Sequence, residues 1–187
     1  MTYSVFRIIT VAVLPLLMAA CGNSPEKKTA NADSVKAGMA EHHHDSLDQS
    51  VATSVVIKDA SLNALYGQYQ ELTKALINGD ERGATVAANA LAAGAQQLKE
   101  TAVAKVASEI TTAPGLEAKR TLFAGLSSDM IAKVKKAGVQ QGTLYVDFCP
   151  MALSDKGAHW LSAEKEVKNP YFGEEMMNCG NIEDSIH

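Results

Sequence analysis

Aromatic residues are scarce: one tryptophan, five tyrosines and four phenylalanines make up 5% of the 187 residues. A sandwich or barrel draws its core from aromatic and β-branched side chains, so this scarcity, with abundant alanine, favours closely packed helices. No basic tract is present. Lys and Arg total 17 against 21 Asp and Glu, the formal net charge is -4, and the two signs are mixed along the chain, so nucleic acid is not an expected partner. No apolar run reaches the roughly 20 residues that a membrane-spanning helix needs. Signatures of common enzyme classes are missing as well. There is no Gly-rich phosphate loop, no serine in a nucleophile elbow and no Cys-x-x-Cys of the thioredoxin kind. The carboxylates are scattered as on exposed helix faces. These absences argue against an enzyme.

What is there begins with a secretion signature. A basic Arg7 precedes the apolar run Ile8–Met18, and small residues follow it, the pattern of a signal peptide over residues 1–20. Met18-Ala19-Ala20-Cys21 resembles a lipobox, in which the cysteine receives a lipid, so Cys21 is the expected lipidation site. Its diacylglyceryl and palmitate-type chains would hold the protein to a membrane by roughly 0.8 kcal/mol per buried methylene. Gly22 follows the cysteine in place of an acidic residue. By resemblance to sorting signals this favours the outer membrane, facing the periplasm. Residues 21–50 are polar and small and read as a flexible tether. Within it, His42, His43 and His44, flanked by Glu41 and Asp45, form a candidate weak site for Cu(II), Ni or Zn.

Residues 51–187 are expected to form one domain. Leu62, Leu65, Tyr66, Tyr69, Leu72 and Leu76 recur at three- and four-residue steps on one helical face. Asp59 or Ser61 caps its start and Gly79 stops it. A second, alanine-rich helix starts after Asp80 and carries Ala87, Leu91 and Leu98. A third carries Val103, Val106, Ala107 and Ile110. Pro114-Gly115 interrupts the pattern, and a fourth helix, from about Leu116 to Ala137, aligns Phe123, Leu126, Met130 and Val134. Lys133, Lys135 and Lys136 suit its C-terminal dipole, and Gly138 ends it. Short connections predict an all-α, up-and-down four-helix bundle. Residues 143–187 form an irregular cap, with one extended segment, Thr143–Phe148, that points Leu144, Val146 and Phe148 one way.

The cap holds the chemistry. Cys149-Pro150-Met151 and, later, Met176-Met177-Asn178-Cys179 each pair a thiol with a thioether. If the two segments meet, Cys149, Met151, Met177 (or Met176) and Cys179 supply up to four soft ligands, suited to Cu(I), while thiolates also hold Zn. The same two cysteines remain as an even pair once Cys21 is lipidated. In an exported domain such a pair is by default a disulfide, here closing a loop worth roughly 3–4 kcal/mol in the chain-entropy model. The two readings compete for the same atoms. The methionines, for their part, are also common core fillers. His159, beside Trp160, reads as a packed surface histidine. Trp160, Tyr171 and Phe172 read as the small core beneath the cap.

Four runs together, Tyr145–Ala152, Gly157–Ser162, Asn169–Gly173 and Met176–Gly180, resemble the C-terminal signature of a bacterial domain family of unknown function. That family occurs in small exported lipoproteins and fused to periplasmic adaptors of heavy-metal (copper and silver) efflux systems. The resemblance covers roughly Ala60 to the end. It implies context and no activity: a soft metal, copper first, and a metal-efflux adaptor as partner. It carries over to Cys149, Met151, Met177 and Cys179, which stand at the motif's sulfur positions.

Overall fold

The structure, a computed structural model, describes residues 54–187. The signal peptide, Cys21, the tether and His42, His43 and His44 lie outside the described residues.

Four helices form as the periodicity predicts. Helix α1 (Ala60–Ile77) starts at Asp59, whose carboxylate accepts from the Leu62 amide at 2.9 Å. That bond satisfies one of the amide donors left free by the first turn. All six residues of its apolar stripe are buried. Helix α2 (Glu81–Gln97) starts at Asp80, which accepts from the Gly83 amide at 2.8 Å. Its buried face is almost entirely alanine, at positions 84, 87, 88, 92 and 95, with Leu91. Leu98 lies just past its end and is 38% exposed. Helices α3 (Thr101–Thr112) and α4 (Gly115–Ala137) follow. Successive helices pack on one another, α1 on α2, α2 on α3 and α3 on α4. Lys119 of α4 is buried because its ammonium donates to the carbonyls of Ile110 and Ala113, at 2.9 and 2.8 Å, where α3 ends.

The all-α expectation fails in the remaining third, and the fold is mixed α/β. Strand β1 (Val56–Ile57) pairs antiparallel with β2 (Val139–Gln141), joining the approach to α1 with the exit of α4. Beyond Gly142 a three-stranded antiparallel sheet forms, in the order β4-β3-β5: β3 (Leu144–Cys149), β4 (Ala158–Ser162) and β5 (Asn181–Ile186). The region expected to be an irregular cap is this sheet plus its loops. The extended segment was legible, but its two partners were not. Strand β4 reads Ala-His-Trp-Leu-Ser, and β5 is exposed until Ile186. Neither shows the apolar alternation that marks a half-buried strand.

The β3 side chains also depart from expectation. Leu144 and Val146 are buried, but so are Asp147 and Cys149, while Phe148 is only half-buried. Leu144 and Val146 are buried on one face of β3 and Asp147 and Cys149 on the other, so alternation no longer separates inside from outside. Register with β4 pairs Asp147 with Trp160, Phe148 with His159 and Cys149 with Ala158.

A run of rings joins helices to sheet. Tyr69 stacks on Phe123 (centroids 5.3 Å apart), Phe123 meets Tyr171 (5.8 Å) and Tyr171 meets the edge of Trp160 (5.9 Å). The Tyr69 hydroxyl bonds to Ser127 and accepts from the Leu161 amide of β4 at 3.1 Å. No helix among the described residues is long and apolar enough to cross a membrane.

Candidate functional site: a cysteine pair beneath the C-terminal loop

Cys149 ends β3 and is fully buried. Cys179 follows a single 3₁₀ turn, η1 (Gly173–Met176), and is half-buried. Their sulfurs are not bonded to each other and lie close enough for Cys149 to perturb the Cys179 thiol, with the Met151 backbone amide nearby. The contact with Cys149, then burial, raise the Cys179 pKa, and the Met151 amide pulls the other way. Two segments about 30 residues apart thus bring their cysteines together.

Asn169 sets the loop that carries Cys179. Its side-chain amide donates to the Cys179 carbonyl at 2.7 Å, and its oxygen accepts from the Tyr171 and Phe172 amides at 2.7 and 3.2 Å. Its own backbone amide donates to Met177, and its carbonyl accepts from Gly173. Arg120 of α4 fixes the same loop from beneath, donating to the carbonyls of Pro170 and Leu76, both at 3.0 Å. Tyr171 donates to the His159 carbonyl at 2.7 Å. Gly180 lets the loop run against β3: its φ is +134°, and a Cβ there would lie 2.7 Å from the Phe148 carbonyl oxygen.

The methionines are less gathered than the cysteines. The Met151 side chain is 48% exposed. Met176 and Met177 are half-buried, and their carbonyls accept from the Cys179 and Asn169 amides. His159 sits on the other face of the sheet from Cys149 and pairs with Glu183 at 2.9 Å. Among the described residues, no group of three or more His, Cys, Asp and Glu side chains gathers as a metal site. Nor do the cysteines line the groove of about 410 Å³ that runs between α1 and β4 past Tyr66, Lys74 and Trp160.

Sequence reasoning passed over Asp147. It shares a strand face with Cys149, two residues on, and is fully buried with no hydrogen-bond partner for either carboxyl oxygen. Loss of solvent raises its pKa to about 7. The available signal was an acid set within an otherwise apolar strand, Leu144-Tyr145-Val146-Asp147-Phe148.

Residues 65–142 match the model of a family described as a protein of unknown function (DUF3347). The match spans most of α1, all of α2 to α4 and strand β2, and it stops before β3. The family therefore accounts for the helical layer and leaves both cysteines outside the matched stretch. No curated protein and no solved structure matches the chain.

Proposed function

We propose that this chain is a lipid-anchored envelope protein that captures a soft metal ion, Cu(I), through Cys149 and Cys179 and buffers it or passes it to an efflux adaptor. The observation that carries the reading is the proximity of two free cysteines, the buried Cys149 and the half-buried Cys179, from segments distant in sequence. The donor set also discriminates between metals. Zinc takes four protein ligands in structural sites and three in catalytic ones, more than two cysteines supply. A monovalent, polarizable ion is satisfied by two thiolates, with thioethers as adjuncts. Capture replaces the two thiol protons, one from each cysteine, and leaves a singly negative bis-thiolate complex. The lipobox at Cys21 and the resemblance to lipoproteins and efflux-adaptor fusions supply the setting.

Titrating the reduced protein with Cu(I) against bicinchoninate tests the reading. We expect one equivalent to be held, and replacement of both cysteines by serine to abolish it. Binding that survives the double replacement refutes the assignment.

The same contact supports a second reading, a disulfide between Cys149 and Cys179 that staples an interaction module without a metal role. An exported domain favours oxidation, and the buried Cys149 suits a permanent bond. Mass measurement of the native protein after thiol alkylation separates the two. Two alkylated thiols favour metal capture, and a loss of two hydrogens with no alkylation favours the staple.

A further inference from the structure

The two cysteines differ in access, and the difference gives the site a direction. Cys149 is fully buried at the end of the central strand, so no incoming ligand meets it first. Cys179 is half-buried, and its sulfur lies against the Met151 amide. Met151 is one of only four large apolar side chains exposed among the described residues. Pro150 fixes the backbone just before it, while its unbranched thioether arm is free to swing in solvent. Its backbone lies near the Cys179 sulfur, which puts the thioether arm within range of an ion held there. Cys179 itself is held still by Asn169 through its carbonyl. The result is a rigid pair of thiols with one mobile soft donor at its outer edge.

Granted the capture of Cu(I) by the cysteine pair, on which this step rests, we infer that the ion enters and leaves by way of Cys179 and the Met151 thioether, with Cys149 as the last ligand released. The matching acceptor presents soft sulfur donors of its own. In the transfer, an acceptor thiol gives up its proton and bonds to Cu(I), the bond from Cys179 breaks, and Cys179 takes up one proton. A second acceptor sulfur displaces Cys149 in the same way, and copper stays monovalent throughout. The neutral thioether is too weak a ligand to set the affinity. Its part is to occupy the vacated position during exchange and so lower the barrier.

The test uses the reduced full chain loaded with one equivalent of Cu(I) and follows transfer to excess bicinchoninate by absorbance. Met151→Leu keeps the shape of an exposed side chain and removes the sulfur. It is expected to slow release about fivefold or more while equilibrium affinity stays within about twofold. Val86→Ala, at an exposed apolar position on α2 outside the cysteine site, should leave the rate unchanged. Added glutathione should accelerate release from the wild-type protein, and an equal concentration of imidazole should not. A wild-type rate in Met151→Leu, equal slowing in Met151→Leu and Val86→Ala, or equal acceleration by imidazole overturns the exchange route while leaving capture intact. Failure of the wild-type protein to hold Cu(I) overturns both.

Discussion

Asp147 places a carboxyl group with two unpartnered oxygens inside the protein, and its consequence is a stability that depends on pH. Burial raises its pKa from 3.8 to about 7, so the folded protein prefers the protonated acid. Below about pH 4 the group is neutral whether the chain is folded or not, and ionisation adds no cost to folding. Between there and about pH 7 the unfolded chain ionises first, and stability falls as pH rises. Above that window the loss is complete, up to roughly 4 kcal/mol at about 1.4 kcal/mol per pKa unit. Asp147→Asn removes the titration and keeps the shape. In metal-free, reduced protein the variant should gain on the wild type steadily from pH 4 to 7 in urea midpoints. A difference that does not change with pH would show that Asp147 finds a partner for its charge. At this scale the sequence was a partial guide. The sulfur positions were legible, because cysteine and methionine are chemically conspicuous. Asp147 offered only an indirect signal, an acid within an apolar strand, and Asn169 offered none, because the importance of a polar residue comes from its burial.

The helices were read nearly to the residue because local chemistry specifies them. Asp59, one of two candidate caps, caps α1, and α2 starts directly after Asp80 as expected, with Asp80 as its cap; the apolar stripes of α1 and α4 are the buried ones. The expectation that alanines bring α2 close to its neighbour can be tested at two positions. A Cβ on Gly94 would stand 3.4 Å from the Leu65 side chain, at the near edge of ordinary contact. Gly94→Ala therefore fits, and it should stabilise the protein by about 0.5–1 kcal/mol through backbone entropy alone. Ala88, by contrast, is fully buried. Ala88→Leu has no space to fill and should cost about 1–3 kcal/mol. Chemical denaturation checks both, and equal tolerance of the two substitutions would mean a looser helix pair than the structure shows. The strands escaped the same reading for a physical reason. A strand covered on both faces has no period-two pattern, and an exposed edge strand such as β5 has no apolar face to display. The turn after Cys149 adds a local surprise, since Leu153, Ser154 and Asp155 all take positive φ, which no preference of those residue types announces.

Whether helices and sheet act as one body depends on the rings between them. Tyr69 and Phe123 come from helices, Trp160 from β4 and Tyr171 from the loop over the cysteines. The expectation of a bundle with a cap foresaw Trp160 and Tyr171 as buried, and they are, with Phe172 only half-buried at the edge of the same cluster. It erred in treating the cap as an appendage, since the topology of a sheet is fixed by pairings distant in sequence. Packing of this kind should make unfolding a single event. Trp160 is the only tryptophan of the chain, so its fluorescence reports the sheet, while far-ultraviolet circular dichroism at the helical band reports α1 to α4. In the reduced protein the two urea curves should coincide. Phe123 touches both Tyr69 and Tyr171, and Phe123→Ala opens a cavity at the junction, costing about 3–5 kcal/mol. Both curves should shift together in that variant, because neither layer retains a complete core without the other. Helices that melt at an unchanged midpoint while the tryptophan signal moves would mean two separable units, and the cysteine loop would then open without unfolding the helices beneath it.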